Sequence, residues 1–200
     1  CMGEGGEAIT ELCNALSKGV EMHDMVIRNL HIKLEDGTIR KNPMRYWLMD
    51  MDSAPFDDRD IYWKKDPYFQ IIPFIQVLAG RGCPYPCTYC FNDGYKKIHI
   101  DNGMTGREYT RVRSVDHVIA ELKMLSEKYS ARDFFFNDST LTYNKPWILE
   151  FCEKYKQSGL TQTCSINGVI PELREDVCAA LADTGKCRLI RFGLETGNEA

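Results

Sequence analysis

From about residue 70 onward the chain alternates short apolar runs with amphipathic stripes, and this alternation limits the fold more than any other feature. "IIPFIQVLAG" is a compact apolar run that ends at a cysteine-rich loop. Residues 114–129 then read as a helix, with Ser114 as N-cap and Val115, Val118, Ile119, Leu122 and Leu125 on one stripe. "RDFFFND" is a buried strand. Residues 145–158 form a second helix, with Trp147, Ile148, Phe151, Cys152 and Tyr155 inward and Gly159 as its stop. "TQTCSIN" is a third strand. Pro171 opens a third helix carrying Leu173, Val177 and Leu181 that ends near Gly185, and "CRLIRFGLET" is a fourth strand. The four strands fall near 72–79, 133–137, 161–166 and 187–194. Strands alternating with helices imply a parallel sheet with right-handed crossovers. Chemistry in such folds gathers at the C-terminal ends of the strands. The cysteine loop, Asp138, Asn167 and Glu195 each follow a strand.

The N-terminal third reads differently. "GEGGEAITELCNALSKG" is a Gly-rich turn leading into a helix whose stripe is Ile9, Leu12, Cys13 and Leu16. "LHIKLEDGTIR" is a hairpin turning at Asp36-Gly37. From Asn42 to Asp66 an Asp-, Pro- and aromatic-rich stretch without periodicity reads as a linker, and a domain boundary is expected there. The whole reads as a piece of a longer protein, because it starts at Cys1 and stops at Ala200 without a turn or cap.

Apolar content of 44% and charged content of 27% belong to a globular chain rather than a disordered one. A net charge of −4 argues against a nucleic-acid-binding surface. No apolar run is long enough to span a membrane. Nine cysteines, an odd number, without a secretion signal favour reduced thiols and a cytoplasmic protein. Cys13, Cys152, Cys164, Cys178 and Cys187 sit in apolar patterns and are expected in the core. His99 and His117 read as surface or helix residues.

The remaining cysteines carry the chemistry. "RGCPYPCTYCFN" puts Cys83, Cys87 and Cys90 at C-x3-C-x2-C spacing. A closed zinc site takes four ligands, whereas three thiolates leave one corner of a metal cluster open. Cysteine thiolate is the usual protein ligand of a [4Fe–4S] cluster. A zinc site, or reduced cysteines packed in the core, is the alternative.

This triplet, with aromatic Tyr89 before its last cysteine, resembles the signature of the radical S-adenosylmethionine (radical SAM) superfamily. The parallel βα array with the loop after its first strand is similar to that superfamily's partial barrel, over roughly residues 70–200. The resemblance implies that Cys83, Cys87 and Cys90 hold a [4Fe–4S] cluster whose fourth iron chelates the amino and carboxylate groups of S-adenosylmethionine. One electron, from a flavodoxin or ferredoxin-type donor, would cleave that cofactor to methionine and a 5′-deoxyadenosyl radical, which takes hydrogen from a substrate. Tyr89 and the Phe91 backbone would line the adenine. "FFFNDSTLTYN" is similar to the segment after the second strand in the cobalamin-linked branch, where Asp138 would accept from the cofactor's amino group, although Ser139 stands where a second acid is frequent. A turn or helix cap is the alternative role of Asp138. "RFGLETG" resembles the Gly-x-Glu-[Ser/Thr]-Gly segment after the fourth strand, with Glu195 accepting from a ribose hydroxyl or holding the methionine end. A surface salt bridge is its alternative.

The N-terminal third resembles the tail of a Rossmann-like cobalamin-binding domain, and "DMDSAPFDDRDIY" the linker that follows it. The Asp-x-His-x-x-Gly cobalamin motif is missing, so the base-binding portion would lie upstream of Cys1. The expected fold is therefore α/β. Residues 1–20 would be a cobalamin-domain remnant, 21–68 hairpin and linker, and 69–200 an incomplete radical SAM partial TIM barrel. The resemblance implies a radical enzyme acting on an unknown small molecule, with cobalamin-dependent methyl transfer or cyclisation as later steps. A methylthiotransferase and a non-catalytic iron–sulfur electron-transfer protein are the competing readings.

Overall fold

The structure, a computed structural model, describes residues 1–129, 131–195 and 197. In chain order its first half contains α1 (Gly6–Ser17), β1 (His31–Lys33), β2 (Ile39–Lys41), α2 (Asp60–Trp63), α3 (Pro67–Ile71), β3 (Phe74–Val77), β4 (Gly80–Arg81) and α4 (Phe91–Asp101). Then follow β5 (Arg111–Val112), α5 (Val115–Lys128), β6 (Asp133–Phe136), α6 (Lys145–Gln157), β7 (Thr163–Asn167), α7 (Glu175–Asp183) and β8 (Cys187–Arg191). The chain forms two compact units, one of residues 1–49 and 85–109, the other of residues 50–84 and 110–200.

The larger unit holds a four-stranded parallel sheet in the order β3-β6-β7-β8. Each strand lies beside its predecessor, so the sheet winds in one direction. This is how a barrel is built, whereas a doubly wound sheet reverses its strand order. Side-chain alternation gives the sheet two unlike faces. Ile75, Val77, Phe134, Phe136, Cys164 and Ile166 are buried in one core with the apolar stripes of α5, α6 and α7. Each fully buried aliphatic or aromatic side chain there contributes about 1.5–3 kcal/mol. Gln76, Phe135 and Leu189 have the opposite parity and share the other face. The result is α/β and part of a barrel, as expected.

Local signals explain the helix ends. The Ser114 hydroxyl accepts the His117 N–H, and Asn144 Oδ1 accepts the Trp147 N–H, so α5 and α6 start at capped positions. The third helix does not begin at Pro171. Ile170–Glu172 form one 3₁₀ turn, Arg174 is extended, and α7 starts at Glu175. Glu172 is engaged elsewhere, accepting from the hydroxyls of Thr140 and Thr142 after β6, which fixes the turn apart from the helix.

The edge of the sheet at β3 is closed by charge. In a parallel ladder the carbonyls of alternate residues point to opposite sides. Pro73 and Val77 accept from the β6 side, so Gln76 and Leu78 present their carbonyls outward. Arg59 donates to Gln76 O (2.7 Å) and Arg113 to Leu78 O (3.0 Å). Glu121, almost fully buried on α5, pairs with both guanidiniums. An edge so plugged is unavailable to another strand. The linker is thus not structureless. It carries α2, with α3 directly after it, and Tyr129 and Lys128 both bond Asp60 on α2.

In the smaller unit, α1 turns a different face inward from the expected one. Ala8, with Leu12 and Ala15 beside it, packs on Met25, Ile27 and Ile32. Ile9 and Leu16 are half exposed and Cys13 is exposed. The small side chains of Ala8 and Ala15, at i and i+7, allow the closer approach to the hairpin. Cys178 is also exposed, opposite Val177 and Leu181 on α7, while Cys152 and Cys164 are buried as expected and Cys187 is half-buried. His99 is a helix residue but not a surface one. It is buried in α4 and stacked on Trp47 with ring centroids 3.9 Å apart.

Removing Glu121 leaves two guanidiniums facing a desolvated gap. Glu121→Ala in the full-length protein should cost about 3–5 kcal/mol in urea unfolding. Lys156→Ala, which breaks a solvent-exposed pair with Asp183, should cost less than about 1 kcal/mol. Equal effects would contradict the role given to Glu121.

Candidate active site

The cysteine loop begins where β3 leaves the sheet. Gly80 and Arg81 pair antiparallel with Val112 and Arg111, and a β-carbon on Gly80 would strike the Arg111 carbonyl. Gly82 has φ +84°, a conformation that favours glycine. These two positions account for the glycines ahead of Cys83. The turn is held by Asp138, at the end of β6. Its Oδ2 accepts the Ala79 N–H (3.0 Å) and its Oδ1 the Gly80 N–H (2.6 Å), while the Arg113 N–H bonds Ala79 O (2.8 Å). Asp138 is buried, and burial pushes its carboxyl up from 3.8 to about 6, against the pull of those two N–H groups and of Arg113. Asp138 therefore acts on the loop through the backbone of Ala79 and Gly80.

The bonds continue across the other strand ends. Asn167, closing β7, donates from Nδ2 to Asp138 O (2.8 Å) and accepts at Oδ1 from Arg191 Nε (3.2 Å). The Arg191 guanidinium lies 3.8 Å over the Phe135 ring. Asn137 Nδ2 donates to Gln76 Oε1 (3.3 Å). The C-terminal ends of β3, β6, β7 and β8 are thus joined by side chains that also line the sheet face turned away from the helices. Glu195 follows β8 at this same end of the sheet. It is exposed, has φ +61°, and folds its carboxylate back over Gly193. Thr196, the next residue of that motif, lies outside the described residues.

Cys83, Cys87 and Cys90 are not in disulfides and are half-buried. Cys83 belongs to the unit with the sheet, Cys87 and Cys90 to the smaller unit. The Cys90 N–H bonds Cys87 O (3.0 Å), and Cys90 is the N-cap of α4, which places its sulfur at the positive end of an 11-residue helix. Tyr89 and Phe91 on either side are 70% and 78% exposed, apolar surface left open beside the thiols. Among the described residues no three His, Cys, Asp or Glu side chains are placed to hold one metal ion. Reduced, partly accessible thiols are the donors that an iron–sulfur cluster takes from a protein.

Arg113, Arg191 and Gln76 were not legible as site residues. Arginines next to strand ends are too common to single out, and the bonds that join these residues to the strand ends span 24 to 61 positions in sequence. Among the described residues no helix is long and apolar enough to cross a membrane.

The family model described as the Radical SAM superfamily matches residues 77–200. An uncharacterized methyltransferase of Pyrococcus horikoshii is 29% identical over 98% of this chain and 40% of its own length. Two solved structures share the fold at 16% identity. The cobalamin-dependent S-adenosylmethionine radical enzyme OxsB, with aqua-cobalamin and S-adenosylmethionine bound, aligns with a TM-score of 0.71 over 97% of this chain and 27% of its own. The radical S-adenosylmethionine methyltransferase TsrM of Kitasatospora setae, with tryptophan substrate and an analogue of S-adenosylmethionine, aligns with a TM-score of 0.67 over 97% of this chain and 36% of its own. The chain thus spans less than half the length of each of these proteins.

A carboxyl whose folded-state value is raised favours folding in its neutral form. The contribution of Asp138 is full below its unfolded value of 3.8 and is lost as pH rises through about 6. Between those limits the stability of the parent relative to Asp138→Asn should fall by up to about 3 kcal/mol. Urea melts of the full-length proteins across this range test the point, and a flat difference would contradict it.

Proposed function

The chain belongs to the radical SAM superfamily, and from that premise we propose that it is the cluster-bearing core of an enzyme that reductively cleaves S-adenosylmethionine. The observation that carries this reading is the C-x3-C-x2-C loop at the C-terminal end of the first strand of a singly wound parallel sheet. Cys83, Cys87 and Cys90 would each hold one iron of a [4Fe–4S] cluster. When bound, the cluster and S-adenosylmethionine supply one-electron cleavage of the sulfonium and a 5′-deoxyadenosyl radical for hydrogen abstraction. The chain's own residues bind and orient. Tyr89 and the Phe91 backbone would line the adenine, Glu195 would accept from a hydroxyl of the cofactor, and Asp138 fixes the start of the loop.

Two of the similar proteins are named as methyltransferases, and OxsB holds aqua-cobalamin. This favours methyl transfer from cobalamin to a small molecule as the overall reaction, with cobalamin held by a portion of the protein outside these residues. Electrons would come from a flavodoxin or ferredoxin-type donor.

Anaerobic reconstitution of the full-length protein should give about four irons and four sulfides per chain. Alanine at Cys83, Cys87 or Cys90 should remove the brown chromophore, whereas Cys152→Ala should leave it. With dithionite the enzyme should release 5′-deoxyadenosine. Glu195→Gln should keep the cluster and weaken cofactor binding by about 1.5–3 kcal/mol, the range for a hydrogen bond to a charged group. Stoichiometric zinc in a colourless, air-stable protein would overturn the assignment.

A further inference from the structure

Asn92 sits in the first turn of α4, two residues past Cys90, and is almost fully buried. Its Nδ2 lies 3.7 Å from Cys90 Sγ, within hydrogen-bonding distance of sulfur. On its other side the Tyr109 hydroxyl donates to Oδ1 at 2.8 Å. Tyr109 is itself buried, in a cluster with Trp47 and Met104, its ring 5.5 Å from Trp47 and 6.2 Å from Tyr95. Trp47 is clamped in turn by its stack on His99. The amide is thus held from behind by a rigid aromatic wall, with one end aimed at a sulfur.

Helix capping does not account for this placement. The N-cap of α4 is Cys90, and no side chain caps it. A buried amide needs partners for both its ends, and the only chemistry that fits both is directional. A metal-bound thiolate carries lone pairs and no proton, so it accepts only. Nδ2 must then face Cys90 Sγ, leaving Oδ1 to take the Tyr109 hydroxyl proton.

We propose that Asn92, oriented by Tyr109, is a positioning residue that donates a hydrogen bond to the cluster-ligating sulfur of Cys90 and raises the cluster's reduction potential. The inference rests on the cluster assignment of the proposed function. Hydrogen bonds to the sulfurs stabilise the more negative, reduced state, and they are among the factors that set the potential of iron–sulfur centres. Losing the donor makes the cluster harder to reduce without removing any ligand.

The test is a potentiometric titration of the reconstituted full-length protein, followed by electron paramagnetic resonance of the reduced cluster, for the parent, Asn92→Leu and Tyr109→Phe. Iron content should be the same in all three. At the potential that half-reduces the parent, the reduced-to-oxidised ratio of Asn92→Leu should fall by roughly tenfold, the effect of one hydrogen bond to a charged group. Tyr109→Phe, which keeps the amide but frees it to turn, should shift the ratio in the same direction by less. A purely structural role would lower thermal stability and leave both potentials at the parental value, and that result overturns the inference. Should Asn92→Leu fail to take up iron, Tyr109→Phe alone decides, and an unchanged potential there is equally fatal. A parent that binds no cluster brings down the proposed function together with this inference. Intact clusters with unshifted potentials bring down this inference alone.

Discussion

One buried carboxylate organises the working end of the sheet. Where β3 ends and the chain swings into the cysteine loop, the N–H groups of Ala79 and Gly80 lose their place in any ladder, and buried donors must find acceptors. Asp138 supplies both, one oxygen for each. Because it comes from the neighbouring strand, the bond fixes the start of the loop relative to β6. Asn167 and Arg191 extend that reference to β7 and β8. Burial of the charge is unfavourable by itself, which is why the carboxyl titrates near 6 rather than 3.8. A neutral amide could not replace it, since its NH₂ would face one of the two N–H donors.

The other side of β3 shows the same economy with opposite charges. Two guanidiniums cap outward carbonyls, and one glutamate on α5 pairs with both. The first strand is therefore fixed on one side by backbone pairing with β6 and on the other by side chains. The proposed role of the loop in holding a cluster would call for such an anchor, because a displacement of about 1 Å in a reacting group lowers rates by large factors.

Much of the architecture was legible because its signals are local. The strands were placed within a few residues, Ser114 caps α5, and Gly159 ends α6, since periodicity, capping and glycine act within a turn or two. The cysteine triplet was legible for the same reason. What could not be read depends on partners distant in sequence. The inward face of α1 is decided by the hairpin it meets, so Ala8 outranks the more hydrophobic Ile9. His99 is buried only because Trp47 covers it. Asn92 looks like an ordinary polar residue of a helix until Tyr109, 17 positions later, is seen to hold it. The helix α4 was hidden because "FNDGYKKIHID" carries Gly94 and mixed polarity, and its burial comes from Asn92 and His99 rather than from an aliphatic stripe.

The central claim is that three thiolates of this chain leave one iron of a cluster open to S-adenosylmethionine. Mössbauer spectroscopy of the iron-enriched, reconstituted protein addresses it directly. The account predicts that adding S-adenosylmethionine shifts the signal of a single iron site toward higher coordination, about one quarter of the total iron, and leaves the rest unchanged. A spectrum in which no site responds, or in which all the irons are equivalent before and after addition, would contradict it.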